Sequence, residues 1–198
     1  MVTEKHPFKP FLPQGARILF LGSFPPPPQR WSMPFFYPNW INDFWRILGL
    51  IHFGDRNHFC LTGDKRFDEP AIRKFSAQAG LAFFDTASEV KRLKDNASDA
   101  FLEVVTPVDI RGLLRQIPFC TEVVTTGEKA TRVAAEQFGC GLPPVGGWLE
   151  LEVEEKGNGG DAGDNPRYIR FWRMPSTSRA YPLPLERKAE AYLRLFEP

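Results

Sequence analysis

The side chains able to do chemistry collect in four short stretches, each closing a run of apolar or β-branched residues. They are Gly22-Ser23-Phe24-Pro25, Asp85-Thr86, Thr126-Gly127-Glu128 and Pro175-Ser176-Thr177-Ser178-Arg179. Brought to one end of a sheet, they offer backbone amides, hydroxyls and a carboxylate. A fifth stretch differs in kind: from Trp31 to Trp45, seven of fifteen residues are aromatic. That is more than one small core needs, which makes Tyr37 a candidate to stack on a bound ring. Such a set suits a flat, polar-edged ring lying near phosphates. Asp85 and the main chain around Gly22, Ser23 and Phe24 would meet its edge. Pro25 and the small donors Ser176, Thr177 and Ser178, with Arg179, would meet the phosphates. No Gly-x-Ser-x-Gly turn is present, so a serine hydrolase built on Ser176 or Ser178 has little support. The three His and three Cys (Cys60, Cys120, Cys140) show no metal-ligand spacing, and no dinucleotide fingerprint occurs. No metal and no cofactor are expected.

The elements that must position these residues alternate. The run 17–22 (RILFLG) is continuous and apolar, as a strand buried on both faces should be. Four prolines at 25–28 then exclude helix and central strand. Asn42 or Asn39 is placed to cap a helix whose apolar positions Phe44, Trp45, Ile47, Leu48 and Ile51 recur at helical spacing. A helix over 69–79, a buried strand over 80–86, a helix over 107–116, a β-branched strand over 121–127 and a helix over 128–138 follow. Residues 149–155 and 168–174 alternate apolar and charged, and 185–196 reads as a closing amphipathic helix. This order predicts one three-layer α/β/α sandwich, with a short, mainly parallel central sheet and a two-stranded addition near the C-terminus.

The whole chain fits that architecture. At 198 residues it spans one domain, 1–198, and 42% hydrophobic with 25% charged residues excludes wholesale disorder. The formal net charge is +1, so any nucleic-acid surface must come from local clustering. Such clustering exists near the end: residues 166–194 carry seven bases against Glu186 and Glu190, whereas 150–165 carry six acids against Lys156. The stretch 150–166 is expected to be a flexible hairpin loop. Few, scattered Cys point to a reducing compartment, and neither a leader nor a membrane-spanning run is visible. A cytoplasmic monomer is the expectation.

RILFLGSFPPP…FFYPNWINDFWRILG and FWRMPSTSRAYPLPLERKAEAYLRLF, read in order, resemble the two motif regions of the uracil-DNA glycosylase superfamily. The closer likeness is to its hypoxanthine-DNA glycosylase and mismatch-specific uracil/thymine-DNA glycosylase branches. GLAFFDTASEV, NASDAF and VVTTGEKA in the middle also resemble the family, so the likeness covers nearly the whole chain. It implies a monofunctional glycosylase that flips a deaminated base, hypoxanthine or uracil, out of DNA and hydrolyses its N-glycosidic bond. Asn42 matches the functional Asn of the Asn-x-Phe-Trp segment and is by resemblance the catalytic position. Phe24 stands where other branches carry a catalytic Asp or Asn. The last motif, MPSTSRA, holds no His, although the most-studied branch has one there. A non-catalytic nucleic-acid-binding or damage-sensing protein on the same fold is the alternative.

Each residue also has a plainer reading. Asn42 can be a helix cap, Tyr37 a core aromatic, and Phe24 packing with only its amide turned to a ligand. Asp85 can cap the next turn, and Ser176, Thr177 and Ser178 can be turn hydroxyls. Arg179 can be a surface charge, and Thr125-Thr126-Gly127 a structural strand–helix turn.

Overall fold

The computed structural model describes residues 3–93, 101–153 and 166–197. Most of the 150–166 hairpin, and all of NASDAF except Phe101, lie outside the described residues.

The centre of the molecule is a five-stranded sheet in the order β3-β2-β6-β8-β7. Strands β2 (Ile18–Gly22), β3 (Leu81–Asp85) and β6 (Glu122–Thr126) are buried at every residue. Their unbroken apolar and β-branched runs are what a strand covered on both faces requires. β2 pairs in parallel with β3 and with β6, and β6 pairs in parallel with β8 (Arg167–Met174). Only β7 (Gly147–Val153) is antiparallel, forming the edge against β8. The expected two-stranded addition is therefore a single antiparallel strand, because β8 continues the parallel ladder.

From β2 the chain crosses to β3 through α1 (Phe44–Phe53) and α2 (Glu69–Gln78). It returns past β2 to β6 through α3 (Ile110–Gln116), and goes on to β8 after α4 (Glu128–Phe138). Right-handed crossovers running in opposite directions place their helices on opposite faces, giving three layers. α5 (Leu185–Leu193) packs on α1. The connections leaving β2 and β6 diverge, so the carboxyl ends of these neighbours form the switch point where open α/β sheets take ligands.

Helix ends follow local chemistry. Asp68 and Asp109 accept hydrogen bonds from Ala71 N (3.1 Å) and Gly112 N (2.8 Å) and so cap α2 and α3. The helix expected over 107–116 therefore starts three residues later than Pro107, which ends a strand instead. That strand, β5 (Leu102–Pro107), pairs antiparallel with β4 (Ala87–Arg92), and β4 with β1 (Thr3–Lys5), in a separate three-stranded sheet. No local pattern of the sequence announces this second sheet.

Most of the aromatic stretch is core. Phe35, Phe36, Phe44 and Trp45 are buried with Phe20 and Phe83, in edge-to-face and stacked contacts. Trp45 Nε1 donates to Phe36 O (3.0 Å), and Trp31 Nε1 donates to Pro26 O (2.7 Å), tying the proline run to the aromatic loop.

Candidate active site

At the carboxyl ends of β2, β3, β6 and β8 lies a cavity of about 630 Å³. Gly22, Ser23, Phe24, Pro25, Tyr37, Asn42, Asp85, Ser176, Thr177, Ser178 and Arg179 all line it. The sheet register alone places the first of these: Gly22 is the partner of Asp85, and Thr126 of Met174, just before the 175–179 loop.

Tyr37 forms one wall. Its ring stacks on Phe44 with centroids 3.8 Å apart and an interplanar angle of 9°, which occupies one of its two faces. Its Oη is hydrogen-bonded to Thr126 Oγ1 at 3.0 Å. The phenol ionises far less readily than an ordinary tyrosine, first because of burial and then because of the Asp85 charge, with the Thr126 bond opposing both. Tyr37 also sits at φ +51°, the left-handed region that a bulky residue seldom adopts. Packing and the Thr126 bond hold it there.

Asn42 is half-buried at the entry to α1. Its Oδ1 accepts from Phe44 N at 2.9 Å, and its backbone bridges Ser178. That bond fixes which end of the carboxamide is oxygen, so the other end is a two-hydrogen donor. The oxygen end thus ties down the first residue of α1, although Asp43 is the residue in the cap position. Asn39 does not cap the helix; its Oδ1 accepts from Ile41 N (3.1 Å).

The last loop is anchored from below. Asp43, the first residue before α1, is buried; its Oδ2 accepts from Lys188 Nζ and its Oδ1 from Arg179 Nε, both at 3.0 Å. Lys188 is wholly buried and also donates to Ser178 O at 2.8 Å, while Asp43 N donates to Thr177 O at 2.9 Å. Buried charges persist where each is paired, and this set clamps the 175–179 loop beside Asn42. Ser176 Oγ and Ser178 Oγ each accept a backbone N–H two residues on (3.2 Å), which leaves each hydroxyl hydrogen to donate elsewhere. Arg179 is on the surface yet tied to Asp43.

Two further residues, Lys188 and His6, support the site. Lys188 was visible in principle, because it occupies the apolar stripe of α5 with Leu185, Ala189 and Tyr192, where a charge needs a partner. His6 was not. It follows β1, which pairs with β4, and its Nε2 lies 2.8 Å from Asp85 Oδ2. Phe24 packs its ring on His6 (5.3 Å between centroids) and against the small cluster Ala87, Val90 and Leu102. The Phe24 ring is thus held by packing, and Arg92 holds the next residue by donating to Pro25 O (2.6 Å).

Among the described residues there is no group of three or more His, Cys, Asp or Glu able to hold a metal, and no helix long and apolar enough to cross a membrane.

No family model matches the chain, and no curated protein matches it. Among solved structures, it is similar to the solution NMR structure of a "putative Uracil DNA glycosylase" from Methanosarcina acetivorans. The two share 19% sequence identity with a TM-score of 0.63, over 100% of both chains. At that identity the likeness establishes architecture: the chain has a uracil-DNA-glycosylase-like α/β/α fold.

Proposed function

We propose that the protein is a monofunctional DNA glycosylase that removes a deaminated base, hypoxanthine or uracil. The observation that carries this reading is the joint lining of one cavity by an aromatic wall, a carboxylate, a carboxamide and a loop of hydroxyls, at the switch point of the sheet. The fold shared with a protein named for uracil-DNA glycosylase activity adds to it.

A base inside a duplex is out of reach, so it must be extruded, at a cost of a few kcal/mol. The exposed face of the work falls to the loops: Pro25 on one side and Ser176, Thr177, Ser178 and Arg179 on the other would hold the flanking backbone. A base entering the cavity would stack on Tyr37 opposite Phe44, with Asp85 and the main chain of Gly22, Ser23 and Phe24 at its polar edge. Rupture of the N-glycosidic bond builds positive charge on the sugar and negative charge on the departing base. The donor end of the Asn42 carboxamide is suited to stabilise that anion or to hold the attacking water. Among the described residues no lysine lines the cavity, and the scheme uses no attack on the sugar by an amine and no lyase step.

One observation favours a second reading, a binding protein without catalysis: the first loop offers the packed ring of Phe24 and no carboxylate. A duplex carrying one hypoxanthine or one uracil separates the two. Cleavage of the strand at that position after alkali is the enzyme's result; tight, base-selective binding with an intact strand is the binding protein's.

A further inference from the structure

Asp85 ends a parallel strand, and its two oxygens have different surroundings. Oδ2 faces His6 Nε2 at 2.8 Å. Oδ1 lies over the α-carbon of Gly22, where an added β-carbon would come within 2.3 Å of it. Gly22 and Asp85 both line the cavity.

His6 is fixed more firmly than the tip of an N-terminal segment would be. Its side chain is 4% exposed, its N donates to Ser88 O (2.8 Å), and its ring packs on Phe84, Phe24 and Phe8. Nδ1 has two neighbours, Phe8 N at 3.1 Å and Phe8 O at 2.9 Å. If Nδ1 accepts from Phe8 N, the ring is neutral and its hydrogen is on Nε2. If Nδ1 donates to Phe8 O, a hydrogen on Nε2 as well makes the ring a cation. In both states Nε2 donates to Asp85. The remaining neutral tautomer would set a nitrogen lone pair against a carboxylate oxygen, which is repulsive.

We infer that His6 is a positioning residue that holds Asp85 as a fixed hydrogen-bond acceptor in the cavity, and that this acceptor selects bases carrying a ring N–H beside a carbonyl. The inference rests on the reading of the cavity as a base pocket. Its chemistry is that of deamination itself. Adenine presents a bare N1 and cytosine a bare N3; their deaminated products, hypoxanthine and uracil, present N1–H and N3–H. A carboxylate accepts from the products and repels the lone pairs of the parents. A carboxylate free to rotate would lose that discrimination, because it could swing to the exocyclic amino group of the parent base. His6 on Oδ2, with Gly22 leaving room for Oδ1, removes the freedom.

The test uses the full chain and duplexes carrying a 2′-fluoro nucleotide, which resists base release, so that binding is read apart from catalysis. The duplexes hold 2′-fluoro-deoxyinosine, 2′-fluoro-deoxyadenosine, or 2′-fluoro-N1-methyldeoxyinosine, whose ring N–H is blocked. The wild-type protein should prefer inosine over both others by roughly tenfold or more, the scale of one buried hydrogen bond satisfied against one left unpaired. His6→Leu should erase most of that preference, and His6→Gln, whose amide can still donate to Oδ2, should restore it. Thermal unfolding of each variant separates the effect from a folding defect, because a merely structural His6 would lose affinity for all three duplexes alike. A His6→Leu protein that keeps the wild-type preference overturns the inference while leaving the glycosylase reading intact. If the wild-type protein releases no base from natural substrates, yet its preference is lost in His6→Leu and restored in His6→Gln, the glycosylase reading falls and the inference stands. A wild-type protein without any preference overturns the inference whatever its activity.

Discussion

Gly22 and Asp85 are register partners at the carboxyl ends of neighbouring parallel strands, and the missing side chain of the first makes room for the carboxylate of the second. A methyl group at position 22 cannot coexist with Oδ1 where it lies, and His6 resists the shift of Asp85 that would relieve the clash. Gly22→Ala should therefore slow base release by about 10²-fold through displacement of Asp85, the scale of losing a well-placed polar group. The strand pairing of β2 should survive, which far-UV circular dichroism checks. A Gly22→Ala protein with wild-type single-turnover rates would show that the Asp85 carboxylate has no part in the site.

The structural bond at the oxygen end of Asn42 and the role proposed for its donor end can be separated by substitution. Asn42→Ala removes both the acceptor for Phe44 N and the donor end. It should cost about 1 kcal/mol of stability, as loss of a helix-end acceptor does, and slow base release by a factor on the order of 10²–10³. Asn42→Ser keeps a short oxygen for the Phe44 amide and discards the donor. It should recover the stability and not the rate. Recovery of both by serine would reduce Asn42 to its structural role and move the chemistry to another residue.

The Asp43–Lys188 pair is buried, and breaking it leaves a charge without its partner. Lys188→Met should lower the unfolding free energy by roughly 3 kcal/mol, with Arg179, on the more exposed side, compensating little. Adding Asp43→Asn should return part of that loss. Chemical denaturation of the two single variants and the double variant measures the coupling; additive effects would mean that the pair does not hold the 175–179 loop.

Two phenols, Tyr37 half-buried in the cavity wall and Tyr192 wholly buried, predict the behaviour at high pH. Tyr37 and Tyr192, which donates to Pro175 O at 2.8 Å, both ionise well above the ordinary value of 10.0, chiefly because burial disfavours the charged form. A group whose folded pKa is raised gives stability that is fully present below its unfolded pKa and is lost as pH rises beyond it. The unfolding free energy should thus fall from about pH 10 upward, each phenol adding about 1.4 kcal/mol per pH unit to the slope. Tyr37→Phe should reduce that slope while leaving Phe44 stacking in place. Equal slopes for Tyr37→Phe and wild type between pH 10 and 12 would place the Tyr37 phenol in water.

What could be read from the sequence divides along physical lines. β2, β3 and β6 announce themselves because strands buried on both faces are apolar without interruption, and α4 is bounded by Gly127 and Gly139 at positive φ. Part of the lining of the cavity was legible from strand ends, since Ser23, Phe24 and Pro25 follow β2, Asp85 ends β3 and the 175–179 loop follows β8, whereas Tyr37 and Asn42 come from the aromatic stretch. β1, β4 and β5 were not legible. ASEVKR and LEVVTP mix polar and apolar residues over short spans, and their pairing, such as Thr3 with Lys91, depends on contacts distant in sequence. His6 reaches the site only through that sheet, so no local pattern could place it. Asp43 and Lys188 find each other across most of the chain, although the charge within an apolar helical stripe was a signal in plain view.

Base release is the activity that the proposed glycosylase must show. A duplex with a single hypoxanthine, and a second with a single uracil, are incubated in EDTA with excess protein and then treated with hot alkali. Cleavage at the modified position on at least one duplex, dependent on the alkali step and slowed on the order of 10²–10³-fold by Asn42→Ala, is the result predicted. Intact strands on both duplexes after prolonged incubation with the folded wild-type protein would contradict it.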